Sequence, residues 1–480
     1  MSEVPPSAVP AQGRSWAGRD HTRGRLLVSL CVLALPLMAT SLAQATFQMV
    51  DLGFLSRLGE EATTAVVVTN QSIRQVFFML TMGGSFGAQA LIARAVGEGN
   101  QALADHVTGQ VFVVGACLAV GVAAIGLLFA EPLLSMMNVS PAVLALGVPY
   151  LQLSLLLAFG FIFAMLFQGV LNGAGDTTTP MLISIVQIPA TLLAEWLLIF
   201  GAGPVPALGV RGVALGLALG QLLGIGLSLR VLFRGTSRVH LRLVHLKPDR
   251  VWLARILSLA WRPGLQMIGG FVVNVAFLGL VGRFGEKAQA AYSIGMRIGM
   301  VGPMMAFPLA GAAATLVGQN LGAGNLPRAW RAIGVGLGVH APLLWSIALA
   351  LFLFRTPLIG LFADDPEVIR IGAEFMRFQA GQFFFFGLSF VFFRALQGAG
   401  DMTVPMLISI GVSLGLTIPL GFWLAVEEGL GMGPRGVFLA SLVSAGVMTT
   451  LQGAYLATGR WARIAPTRGA AADTRGIRSG

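Results

Sequence analysis

One stretch of this chain occurs twice. Leu171 to Ile185 reads LNGAGDTTTPMLISI and Leu396 to Ile410 reads LQGAGDMTVPMLISI, identical at 12 of 15 positions and 225 residues apart. Each copy closes a long apolar run with Gly-Ala-Gly-Asp and opens the next with Pro. Glycine permits a corner at φ > 0, Asp caps a helix start and Pro suits its first turn. Locally this is a helix connector; as a pair it marks a duplication. Gly97-Glu98-Gly99-Asn100 and Gly322-Ala323-Gly324-Asn325 keep the same spacing, and Arg211-Gly212-Val213 matches Arg435-Gly436-Val437 at 224. The helices entered there carry small residues at every fourth position, Gly212, Gly216 and Gly220 in one and Gly436, Ala440 and Ser444 in the other. Such stripes are read as packing faces that let helix backbones approach closely.

With 56% hydrophobic residues, 11% charged and a mean hydropathy of +0.81, the chain is too apolar for a soluble protein of 480 residues. It reads as an all-α polytopic membrane protein. Apolar runs long enough to cross a bilayer as helices lie at about 26–58, 62–93, 107–129, 144–170, 180–200 and 210–233, then 253–281, 290–317, 333–354, 375–396, 405–426 and 436–457. Twelve spans arranged as six plus six make the halves parallel repeats around a central cleft. The predicted organisation is a disordered tail at 1–25, an amino-terminal six-helix lobe at 26–234, a linker at 235–252, a carboxy-terminal lobe at 253–458 and a tail at 459–480. Counting Lys and Arg by loop gives 20 on the face with both chain ends and the linker, against 7 on the other, so the ends are expected in the cytoplasm.

Several function classes drop out. The net charge of +11 lies in loops rather than on an aromatic-basic surface, so no nucleic-acid partner is expected. There is no phosphate-cradling loop ending in Lys-Ser/Thr, and Gly334 to Gly338 lies inside an apolar run with no strand before it. Cys31 and Cys117 show neither disulfide nor metal spacing, and His340 stands alone in its run. No catalytic constellation is visible, so neither an enzyme nor a resident cofactor or metal is expected.

Acidic residues inside spans are informative, because an ionisable group at mid-membrane costs at least about 2.5–3.5 kcal/mol and marks a functional site by default. Asp51 near the end of the first span and Glu195 near the end of the fifth fall at nearly one depth, in the first half only. Counting across the repeat puts Phe277 or Leu278 opposite Asp51 and Leu420 opposite Glu195. Gln44, Gln48 and Asp51 share one helix stripe, and Thr191 shares the face of Glu195. The alternative is that each acid is structural, or pairs with Arg74. In the second half Gln266, Asn274, Gln379 and Gln382 offer hydrogen bonds, and the phenylalanines around Phe386 suit an apolar substrate wall or a core. Arg262, Arg297 and Arg377 also fall in or near spans.

The six-plus-six layout, the segment LALPLMATSLAQATFQMVDLGFLSRLG with Pro36 and Asp51, the GEGN and GAGN loops and the GAGDTTTPM and GAGDMTVPM turns together resemble the multidrug and toxic compound extrusion (MATE) family. The resemblance is closest to its DinF-type branch. It implies a cation site in the amino-terminal lobe, carried here by Asp51, Thr191, Glu195 and Tyr150, with Gln44 as the amide of the first span. From their polar or aromatic side chains within the spans, Gln44, Gln48, Gln266, Asn274, Gln382 and Phe386 are the residues expected to touch substrate. Thr191 stands where the branch has Asn, Glu195 where it has Asp, and an aliphatic residue near Leu217 replaces a Thr. The resemblance implies an antiporter that acts as a monomer in the cytoplasmic membrane and expels amphipathic, often cationic, organic compounds against H+ or Na+. Fewer oxygen ligands favour H+. A lipid-linked saccharide flippase of the same superfamily is the alternative; it would need a cationic cleft, for which Arg74, Arg262 and Arg297 are candidates.

Overall fold

The computed structural model describes residues 20–464 apart from 138, 203 and 236, and the backbone alone at 71 and 72. Most of the two predicted tails, 1–19 and 465–480, lies outside the described residues. His21 is buried near the Gly175 turn, and Trp461 is buried against Trp330, with its Nε1 donating to the Leu456 carbonyl at 2.9 Å.

Among the described residues there are twelve membrane-spanning segments, with one bent pair of helices counted as a single span. In the first lobe they are α1 (Leu26–Ser56), α2 (Glu60–Thr69, a π-turn at Asn70–Arg74, then Gln75–Gly97), α3 (Gln101–Ser135), α4 (Pro141–Leu156 and Phe159–Ala174), α5 (Thr178–Phe200) and α6 (Val210–Arg234). In the second they are α7 (Arg250–Gly282), α8 (Glu286–Gly322, interrupted at Met300), α9 (Leu326–Leu353), α10 (Pro366–Gly398), α11 (Thr403–Ala425, with a π-turn at Ser413–Thr417) and α12 (Pro434–Ala457). The two pieces of α4 meet at 45°, a bend that hydropathy alone did not disclose. Pro36 leaves α1 continuous, and the Thr40 hydroxyl donates to the Pro36 carbonyl at 3.0 Å. The linker docks on α3, where the Gln110 side chain donates to the carbonyls of His245 and Lys247 and accepts from the Asp249 amide.

The duplication is visible atom by atom. Gly175 and Gly400 close α4 and α10 at φ 83° and 91°, as the repeated turn requires. Asp176 caps α5 through the Thr179 amide and hydroxyl; Asp401 caps α11 through the Val404 amide, and the Tyr455 hydroxyl replaces the missing threonine at 2.6 Å. Where α2 crosses α8, a side chain on Gly97 would strike the Gln319 carbonyl, and one on Gly322 would strike that of Arg94. These four positions exchange under the 225-residue offset, so the contact is pseudo-twofold. Within the lobes, Gly173 on Gln89 and Gly398 on Ala314 repeat the same close fit.

The lobes meet through α2 on α7 and α8, and α1 on α8. Every residue from Gly83 to Ala95 in α2 and from Pro308 to Leu321 in α8 is buried, whereas their other halves are partly exposed. The seam is therefore shut on the face carrying the chain ends and parts toward the opposite face. A polar network crosses it. Arg394, only 3% exposed, donates to Gln397 Oε1 at 2.7 Å and to Gln89 Oε1 at 2.5 Å, and its guanidinium lies 3.9 Å from the Phe86 ring centre. Gln89 donates to Thr315, which donates to the Asn172 carbonyl. Arg94 and Arg394, counted from sequence as loop charges, are thus buried in the seam. Removing them leaves 18 basic residues against 7, and the bias stands.

Candidate functional site

The first lobe gathers its polar groups in the half away from the chain ends. Asp51 and Glu195 arrive from α1 and α5, one turn from Leu55 and Ile199, which share a buried cluster with Val66, Tyr150 and Val213. Glu195 is fully buried and, among the described residues, neither of its carboxyl oxygens has a hydrogen-bond partner; Asp51 Oδ1 is likewise buried and unpartnered. The two carboxyls are close enough to repel each other. The glycine stripe of α6 seats α5: a side chain at Gly216 would lie 2.6 Å from the Glu195 side chain, and one at Gly220 would collide with Thr191. The stripe is packing, as its spacing implied, and it is also what admits Glu195 and Thr191 to the interior. Thr191 is buried with its hydroxyl turned back to the Gln187 carbonyl at 2.8 Å.

Tyr150 is fully buried, and its hydroxyl donates to Asn70 Oδ1 at 3.1 Å. Arg74 Nη1 donates to that same oxygen at 2.8 Å and to the Tyr150 oxygen at 3.2 Å. Arg74 forms no direct ion pair with Asp51, although the two charges are near enough to attract. Asn70 was not singled out from sequence. Its signal is a length difference: 38 residues separate Gly59 from Gly97 but 37 separate Gly285 from Gly322, and the π-turn absorbs the extra one.

The other candidates stand apart. Gln44 and Gln48 lie on α1 toward Asp51 but are exposed, as is Asn274 on α7. Gln266 donates to the Ser409 hydroxyl at 2.7 Å and so ties α7 to α11. Gln382 and Phe386 are half-buried on α10; Phe386 stacks on Phe390 at 4.9 Å in a row with Phe383 and Phe393, which are core. His340 is buried and donates from Nδ1 to the Gly387 carbonyl at 2.7 Å. Arg297 and Arg377 are exposed, and Arg262 lines a crevice with Arg255 and Asp401, away from Arg74.

The second lobe fills the equivalent space with rings. Its π-turn adds one residue, so Gly421 rather than Leu420 stands opposite Glu195; a side chain there would lie 2.6 Å from the Phe277 ring, which takes the place of Asp51. Phe375 replaces Tyr150 and packs between Tyr292 and Phe438 at 4.9 and 5.0 Å.

The MatE family model matches residues 36–197 and 264–423, once in each lobe. A probable multidrug resistance protein NorM of Thermotoga maritima is 27% identical over 439 residues, covering 91% of this chain and 93% of the relative. The multidrug resistance protein PmpM of Pseudomonas aeruginosa is 26% identical, covering 89% and 91%, and an FAD transporter of Shewanella oneidensis is 25% identical, covering 72% and 76%. Among solved structures, an outward-facing multidrug resistance MATE family transporter superposes with a TM-score of 0.82 at 20% identity, over 91% of this chain and 97% of that one.

Proposed function

Because the chain belongs to the MatE family, matched in both of its six-helix halves, we propose that it is a secondary antiporter. It expels amphipathic, often cationic, organic compounds in exchange for protons. The observation that carries this reading is the pair Asp51 and Glu195, from two different helices, with Glu195 fully buried and no partner for either oxygen among the described residues. Such a pair is stable only when its charge is reduced, and binding a proton does that with one atom. Thr191 lies one turn from Glu195 on α5, and Tyr150 is engaged by Asn70 and Arg74. Placing the carboxyls in the first lobe alone supports the DinF-type arrangement.

The coupling follows from position. Asp51 sits on α1, and α1 packs on both α5 of its own lobe and α8 of the other. A change of charge at Asp51 therefore bears on a helix that belongs to the seam. The structure is closed on the face of the chain ends, so by the basic-loop bias it is open outward, the state in which external protons reach the pair and substrate leaves. Gln44, Gln48, Asn274, Gln382 and Phe386 would contact substrate; Gln266 would act by holding α7 to α11. The relatives named for multidrug resistance support the substrate class. The flippase alternative is not favoured, because Arg74 and Arg262, two of the three arginines it would need, line separate cavities. The proposed setting is the bacterial inner membrane, with the chain acting as a monomer and both ends cytoplasmic.

The test is efflux of a fluorescent organic cation from proteoliposomes under an imposed proton gradient. Asp51→Asn is expected to abolish gradient-driven efflux while the protein still inserts and melts normally, since an amide keeps the shape and removes both charge and desolvation cost. Dye extrusion by Asp51→Asn at the wild-type rate would sink the proposed site.

A further inference from the structure

Arg74 is the charged residue of this neighbourhood that the coupling argument leaves unused. The π-turn Asn70–Arg74 brings it, together with Asn70, against Tyr150, and π-turns concentrate at functional positions. Its guanidinium holds two oxygens, Asn70 Oδ1 and the Tyr150 hydroxyl, while Asp51 lies within reach of its charge. Beside it is a cavity of about 10 Å³, room for one water, lined by Arg74, Ser154 and Gln221 among others. Asp51 from α1 is the group these charges share: it is a neighbour of Arg74 from α2, of Tyr150 from α4 and of Glu195 from α5.

The repeat supplies a second observation. At the equivalent positions the other lobe has Phe277 for Asp51, Gly299 for Arg74, Phe375 for Tyr150 and Gly421 for Glu195. At these four positions the acids, the tyrosine and the arginine occur together in one lobe and are replaced together in the other, where Tyr292 and Arg297 stand at neighbouring positions. An arginine kept for packing or for reaching the membrane surface has no reason to go when the acids go. A counter-charge has.

We infer that Arg74 is the built-in cation of the coupling site, occupying the oxygens and offsetting the carboxylate charge that a sodium ion would need, and so restricting exchange to protons. The inference rests on the reading of Asp51 and Glu195 as the coupling pair. Sodium requires several oxygens arranged around a bare ion, and it would have to displace the guanidinium from two of them while lying beside its charge. A proton adds to one carboxyl oxygen and needs no cage.

The experiment compares wild type, Arg74→Gln and Arg74→Lys in proteoliposomes at fixed pH, with a sodium gradient imposed using NaCl inside or outside against equimolar KCl. Wild type and Arg74→Lys should show no sodium-driven efflux above the leak of protein-free vesicles, and Arg74→Gln should show sodium-driven efflux about tenfold above that leak. Sodium-specific stabilisation in a melting assay, NaCl against KCl, should appear in Arg74→Gln alone. Sodium-driven efflux by wild type or by Arg74→Lys overturns the inference, even if Arg74→Gln fails to fold. So does an Arg74→Gln protein that folds and still ignores sodium. Asp51→Asn in the same vesicles separates the two readings: if it still couples, the site itself is wrong; if it is dead while Arg74→Gln ignores sodium, only the role of Arg74 is wrong.

Discussion

Glu195 is fully buried with both oxygens unpartnered, and its chemistry is separable from its shape. Glu195→Gln keeps the volume and removes the charge, so it is expected to impair transport several-fold and flatten its pH dependence. Glu195→Asp keeps the carboxyl one methylene shorter and should retain most activity, since the space opened by Gly216 lets α5 and α6 close on the smaller group. Efflux rates across a pH series for both variants check this; an unchanged profile for Glu195→Gln would remove Glu195 from the coupling pair. At this scale the acids were legible because a carboxyl in an apolar run has few structural explanations. Asn70 and Arg74 were not placed, because a polar residue near the end of a span reads equally well as surface until the π-turn shows which way it points.

Helix crossings decide how the seam closes. At the α2–α8 crossing, Gly97→Val would drive its side chain into the Gln319 carbonyl, an overpacking that costs about 1–3 kcal/mol. A lower melting temperature is expected, while Gly121→Ala, whose added carbon meets nothing within 4 Å, should melt like wild type. The polar network makes a second prediction. Arg394 has no acid among its hydrogen-bond partners and relies on the Gln89 and Gln397 oxygens and the Phe86 ring. Gln89→Ala removes one acceptor from a buried cation and should destabilise the closed seam by about 1.5–3 kcal/mol. Faster amide exchange in α2 and α8 would report it, and protection equal to wild type would show that the network holds nothing. The glycine stripes were readable from spacing, but which residues they admit was not, because that depends on the helix lying opposite.

The whole molecule is a parallel repeat whose two copies have diverged in the side chains they hold at equivalent positions. Its orientation is testable by reporter fusions: both ends and the linker are expected in the cytoplasm, and a reporter active in the periplasm at either end would reverse the assignment. The bias withstands the burial of Arg94 and Arg394, since 18 basic residues still face 7. Divergence is clearest where Phe277, Phe375 and Gly421 fill in one lobe the space that Asp51, Tyr150 and Glu195 hold in the other. One lobe has the groups to take up a proton; the other is a packed aromatic block.

Hydropathy, the doubled GAGD turns and the count of spans determined by themselves that this chain is a twelve-helix membrane protein made of two copies. Those features act locally: an apolar run must span, and a Gly-Asp-Pro corner must turn, whatever lies beside it. The pairing of Asp51 with Glu195 was anticipated from depth alone, because two residues near the same ends of two spans share a height in the bilayer. Azimuth was beyond reach of the sequence. Which side of α2 carries Arg74, that Arg394 is buried rather than in a loop, and that Gly421 rather than Leu420 answers Glu195 all depend on π-turns and crossings that rotate a helix face. Only the packed structure settles those rotations, because the energy that selects them comes from the neighbouring helix.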